Sequence, residues 1–321
     1  MRASLAAASV CAAFVFAACS QPEPVPVPEA MPDRVASTVV VEPATGVLAD
    51  GQAKSEISVT VVDVDGKPLP EVQVALSATG EGVTITQPSA PTDASGVTRG
   101  SLSSTRPGTV NVSATATLKG DSFQLSKQAQ VEFVPGPAAR LVFAVPPSSA
   151  KAGETIAPSI QVAVQDSFGN VIFDSTAAVS LSLAANDAGG TLSGTTTVAA
   201  ASGVAVFSDL SIEKAGAGYT LVATAEGLAT ATSDGFEISV SAPARLAFVV
   251  GPSTAGAGAV IAPPIQVAVQ DAQGNLISTA TDVVSLALGA NPSQATLSGT
   301  PAVRAVGGVA TFSDLSIDKA G

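Results

Sequence analysis

The sequence predicts an all-β chain made of tandem two-sheet sandwiches, and three observations carry that expectation. Apolar residues alternate with small polar ones in short windows: Ile57, Val59 and Val61; Val72, Val74 and Leu76; Val110, Val112 and Ala114; Val179, Leu181 and Leu183; Val284, Leu286 and Leu288. A period of two turns one row of side chains inward and the other outward, as in a half-buried antiparallel strand. Turn signals separate these windows, at Asp63-Val-Asp-Gly66, Asp93-Ala-Ser-Gly96, Asp166-Ser-Phe-Gly169 and Asp271-Ala-Gln-Gly274. Asp can close an Asx-turn on its own backbone, and Gly three residues on supplies positive φ. Third, the chain repeats itself at an offset of 105 residues. Few windows read as helix.

The repeat sets the domain organisation. IQVAVQD at Ile160–Asp166 returns at Ile265–Asp271, TLSG at Thr191–Gly194 returns at Thr296–Gly299, and FSDLSI at Phe207–Ile212 returns at Phe312–Ile317. Without a gap, 48 of 77 aligned positions are identical. The period is too long for a solenoid and suits a whole domain with its own core. The expected units are 37–134, 140–239 and 244–321. Gly321 corresponds to Gly216, so counterparts of Tyr219–Ala225 and Thr232–Val240 are absent and the third unit reads as incomplete, truncated before its last two strands. Two explanations stand open: the natural chain continues, or a strand from another chain completes the sandwich by β-addition.

Composition bounds the chemistry. With 14 basic against 26 acidic residues the net charge is −12, which argues against a nucleic-acid partner, because phosphate binding needs clustered Lys and Arg. The absence of His removes the commonest general base and the commonest transition-metal ligand. Walker, Rossmann and zinc spacings are also missing. The expectation is therefore a protein that is not an enzyme and has no catalytic, metal or cofactor site. Asp63, Asp65 and Gly66 look like the start of a calcium loop, but the closing carboxylate is missing, since position 72 is Val; an Asx-capped turn is the better reading. Asp166/Asn170 and Asp271/Asn275 are read the same way.

The first residues read as an address. Arg2 is a minimal positive region, and residues 6–18 form an apolar stretch too short to span a bilayer. It ends in Phe16-Ala17-Ala18-Cys19, which resembles a bacterial lipobox with Phe16 in place of the usual Leu. The resemblance makes 1–18 a lipoprotein signal peptide and Cys19 the lipid-attachment residue, with Ser20 suiting export to an outer membrane; ordinary signal-peptidase cleavage is the alternative. Residues 19–36 form a Pro-rich tether. Within it Gln21–Arg34 carries five prolines, which fix φ and favour an extended spacer of roughly 40–50 Å at about 3 Å per residue. Both cysteines, Cys11 and Cys19, lie at this end, so no disulfide holds the expected domains.

From Ala49-Asp50-Gly51 through Ile57–Asp63, Asp65-Gly66-Lys67-Pro68-Leu69-Pro70, Val72–Ala78, Thr92-Asp93-Ala94-Ser95-Gly96-Val97 and Ser104–Val110, the first unit resembles the invasin/intimin-type bacterial immunoglobulin-like repeat. The two 105-residue units resemble more distant bacterial Ig-like domains. The resemblance implies Greek-key Ig-like sandwiches displayed outside the cell for adhesion or presentation. Gly218-Tyr219-Thr220-Leu221 is similar to a tyrosine corner, which gives Tyr219 a structural role: a buried ring bonding upstream backbone. The first unit has Val110 at that place.

Two further pairs recur in the repeats. Arg140 and Arg245 follow the Pro-containing linkers and can pair with a carboxylate of the preceding domain. Asp209 and Asp314 either make an interdomain contact or lie solvated beside inward Phe207 and Leu210. The expected function is a lipid-anchored stalk at the cell surface, held in the membrane through Cys19, with an unidentified surface protein or glycan as ligand. The alternative is a spacer in a larger secreted protein with a catalytic or carbohydrate-binding module beyond Gly321.

Overall fold

The computed structural model describes residues 31–184 and 188–320, and every regular element in them is a strand. The leader, with Cys11 and Cys19, lies outside the described residues. The first domain has nine strands: β1 (Thr38–Glu42), β2 (Val47–Leu48), β3 (Ser55–Thr60), β4 (Gln73–Ala78), β5 (Val83–Thr86), β6 (Val97–Ser104), β7 (Gly108–Leu118), β8 (Asp121–Gln124) and β9 (Ala129–Val134). One sheet has the order β1-β3-β6-β5; the other has β2-β9-β7-β4, with β8 hairpinned onto β7. The chain crosses between the sheets five times, at β1/β2, β2/β3, β3/β4, β4/β5 and β6/β7, which is the Greek-key topology of an Ig-like sandwich.

The alternation decides what each sheet buries. Val39, Ile57, Val59 and Leu102 from the first sheet meet Leu76, Val110, Val112, Ala114, Val131 and Phe133 from the second in one apolar cluster. Each large side chain buried this way contributes about 1.5–3 kcal/mol, and this packing does the work that a disulfide does in many secreted sandwiches. The last residues of the expected tether are seated on this domain rather than extended. The Asp33 amide donates to Val62 O at 2.8 Å, the Ser126 amide donates to Arg34 O at 2.8 Å, and the Arg34 guanidinium stacks 5.1 Å from the Phe123 ring centre. The reason is that Asp33 Oδ1 accepts the Val35 and Ala36 amides, closing a turn that an extended chain lacks.

The second domain repeats the plan around its own core, which includes Leu141, Val162, Val164, Leu181, Phe207, Tyr219, Leu221 and Phe236. Its strand Ile160–Gln165 lies between Arg140–Val145 and Val204–Phe207. In the third domain Ile265–Gln270 lies between Arg245–Val250 and Val309–Phe312, with Ile265 opposite Phe312 as Ile160 is opposite Phe207. The third core is smaller. Leu141 is 3% exposed but Leu246 is 55%, and Phe143 is half-buried while Phe248 is 58% exposed. In the second domain the Leu141 amide is held by Ala229 O, and Leu221–Thr224 pairs with the end of Ala178–Leu183. No described residues take those places in the third domain, and the matching strand shortens to Val283–Ser285.

Candidate functional site: the interdomain joints

Three homologous turns lie at the leading ends of the three sandwiches. In the first, Asp63 Oδ1 accepts the amides of Asp65 and Lys67, and the Asp63 amide donates to Lys67 O. Asp166 repeats this with Phe168 and Asn170, and Asp271 with Gln273 and Asn275. The fourth residue must adopt positive φ: Gly66, Gly169 and Gly274 sit at 76°, 96° and 92°. These are Asx-capped turns, as read for Asp63, Asp166 and Asp271 from sequence.

The residue after that Gly distinguishes the three. Lys67 is exposed and its turn borders Pro32 of the tether. The buried Asn170 and Asn275 instead reach the domain in front. Asn170 Nδ2 donates to Ala49 O at 3.1 Å. Asn275 Nδ2 donates to Glu213 O at 2.8 Å, and its Oδ1 accepts the Ala215 amide at 3.0 Å. The turn aspartate also ties down the linker: Asp166 Oδ2 accepts the Gly136 amide at 2.9 Å and Asp271 Oδ2 accepts the Ser241 amide at 3.2 Å. Each Asp–Asn pair is closed by an Nδ2–Oδ2 bond of 3.0 Å. One short segment therefore orients both the linker and the preceding domain.

Electrostatics keep the two aspartates ionised. Burial raises both carboxyls, but for Asp166 the Gly136 and Asn170 amides, the Asn170 side chain and the Phe168 amide outweigh it. For Asp271 the Asn275 side chain and the amides of Asn275, Ser241 and Gln273 do the same. Both end below the ordinary carboxylate value, because hydrogen bonds favour the charged form they donate to. Among the described residues no buried side-chain nitrogen or oxygen lacks a partner.

The other singled-out residues fall elsewhere. Arg140 donates through Nε and Nη2 to Gln165 Oε1, and Arg245 through Nε to Gln270 Oε1; each pair lies within one domain, and among the described residues neither arginine bridges to a preceding carboxylate. An arginine that opens the first strand faces the end of the strand paired with it, where Gln165 or Gln270 stands. Asp209 accepts the Thr195 amide and hydroxyl, and Asp314 those of Thr300, pinning the TLSG turn of their own domains. Tyr219 is fully buried, and its hydroxyl donates to Lys214 O at 2.9 Å, five residues upstream. Cys19 lies outside the described residues. The sequence reading missed the cross-domain role of Asn170 and Asn275. The available signal was the change from Lys67, behind a tether, to Asn at the two positions behind a domain.

Greek-key sandwiches in series, coupled by satisfied polar joints, define a protein of tandem immunoglobulin-like domains. Residues 36–134, the first sandwich, match the model of the bacterial Ig-like domain (group 1) family. No curated protein matches the chain. Among solved structures, the chain is similar to Yersinia pseudotuberculosis InvD, at 18% identity and TM-score 0.42, over 90% of this chain and 84% of that one. It is similar to invasin, described as a bacterial integrin-binding protein, at 20% identity and TM-score 0.35, over 87% of this chain and 54% of invasin. Similarity to the Yersinia pseudotuberculosis adhesin InvE, at 18% identity and TM-score 0.34, covers 64% of this chain and 60% of that one. These are likenesses of fold.

Proposed function

We propose that this is a non-enzymatic, lipid-anchored surface protein of the outer membrane, whose serial Ig-like domains form a stalk for adhesion or presentation. Its parts are a signal peptide at 1–18, a tether at 19–36, and domains at 37–134, 140–239 and 244–321. The observation that carries the reading is the head-to-tail order of the joints. Each Asp turn marks the leading end of a sandwich, and Ala49 or the Glu213–Ala215 segment marks the trailing end, so the domains add length in one direction. The lipobox-like Cys19 supplies the fixed end of such a stalk. The ligand would be a surface protein or glycan, met on loops at the sandwich ends.

Two measurements test this. Mass spectrometry of the membrane fraction should find an acylated N-terminal peptide beginning at Cys19 and lost in Cys19→Ser; an unacylated, freely soluble wild-type chain overturns the anchor. Protease added to intact cells should remove the sandwiches; their protection would refute surface display.

A further inference from the structure

The two joints share a turn and differ in one linker residue. In the first and second domains a short strand runs parallel to the last one and is followed by a residue whose amide bonds that last strand: Ala49 to Val134 O and Ala152 to Ser239 O, both at 2.8 Å. The carbonyl of this residue is the docking point at both joints. At the second, Ser241 Oγ donates to Ala152 O at 3.1 Å. That leaves both ends of the Asn275 amide free to grip Glu213 and Ala215 on an adjoining segment. At the first joint the corresponding linker residue is Gly136, which has no side chain, so Asn170 itself takes Ala49 O.

Three side-chain-mediated bonds to two adjoining segments, themselves joined by the Gly153 amide on Ile212 O, restrain rotation of one domain on the other. A single bond fixes a point and leaves rotation about it. The surroundings agree. The exposed Gln273 side chain reaches back over Gly153 of the preceding domain, so that a Cβ there would push it aside; its counterpart Phe168 is also exposed. Beside the first joint Leu48 and Phe173 stay exposed along a cleft with Pro135 and Pro137.

We infer that bending of the chain is concentrated between the first and second domains, and that the residue at position 136 or 241 sets how stiff each joint is. Hinges of this kind are a few linker positions that absorb the motion between rigid blocks. Gly136 has room for the change: a Cβ there would stand 3.6 Å from Asp166 atoms, an ordinary contact, and its φ is not in the left-handed region. The inference stands on the joint geometry and does not depend on where the protein is displayed.

The test is a pair of inter-label distance distributions in the full chain. With Cys11→Ser and Cys19→Ser, introduced thiols are the only ones. Spin labels at exposed Thr86 and Thr224 span the first joint, and labels at exposed Thr224 and Asp282 span the second. The distribution across the first joint should be broader. Ser241→Gly should broaden the second toward the first, and Gly136→Ser should narrow the first toward the second. Circular dichroism of each variant confirms that the sheets are intact. Equal widths in the parent chain, or a width at the second joint unchanged by Ser241→Gly, overturn the inference, and so does a first joint that Gly136→Ser fails to narrow.

Discussion

Replacing Asp271 by Ala removes one fully buried carboxylate and the acceptor for four donors. These are the amides of Asn275 at 2.8 Å, Gln273 at 3.0 Å and Ser241 at 3.2 Å, and Asn275 Nδ2 at 3.0 Å. A hydrogen bond to a charged acceptor is worth about 1.5–3 kcal/mol, and a buried donor left without one costs about 1–3 kcal/mol. Gln273 is exposed and Ser241 half-buried, so water can replace the acceptor for both; Asn275 is buried and cannot be rescued. The net loss is therefore about 3–4 kcal/mol, a large share of the 5–15 kcal/mol typical of a domain. At about 4–8 °C per kcal/mol for a small domain, the third sandwich should melt at least ~12 °C lower. Differential scanning calorimetry reads this as one displaced transition, since the three domains have separate cores. Asn275→Ala is the matched control, because it removes the cross-domain bonds while leaving the turn amide on Asp271. A shift for Asp271→Ala no larger than that for Asn275→Ala would refute the claim that this carboxylate organises the turn.

Three other outcomes follow from the same geometry. Leu102→Ala, at a position 1% exposed in the first core, should cost about 2–5 kcal/mol in the first domain's transition and leave the other two in place, as chemical denaturation would show. Tyr219→Phe deletes the hydroxyl that Lys214 O accepts and should destabilise only the second domain, by about 1 kcal/mol in the same melt; no change would mean that the buried ring alone matters. Asp166 and Asp271 titrate below the ordinary carboxylate value of 3.8, so the unfolded chain takes up protons first as pH falls. Their contribution should be complete above about pH 4 and vanish below it, through the lowered native values. Urea midpoints followed from pH 7 to pH 2 check this, and a loss already under way between pH 7 and pH 5 would contradict it.

Which parts were legible from sequence follows from the range of each interaction. Ile57, Val59 and Val61 announced their buried face, because pleating alone sends alternate side chains to opposite sides. The Asp–Gly turns were equally plain, since Asp63, Asp166 and Asp271 bond amides two and four residues away in their own loop. The 105-residue offset set the expected units at 140–239 and 244–321 from direct repetition alone. Arg140, Arg245, Asp209 and Asp314 were harder, because a charged side chain near a linker has several partners within reach. Their short bonds to Gln165, Gln270, Thr195 and Thr300 depend on which strands lie side by side.

By itself, the order of residues determined the strands, their inward faces, the turns and the serial plan, since each depends on neighbours a few positions apart or on direct repetition. Only the tertiary structure decided that Asn170 and Asn275 are the residues that read the preceding domain. Their partners lie 121 and 62 positions away in Ala49 and Glu213, and a carbonyl leaves no mark in the identity of the residue that carries it.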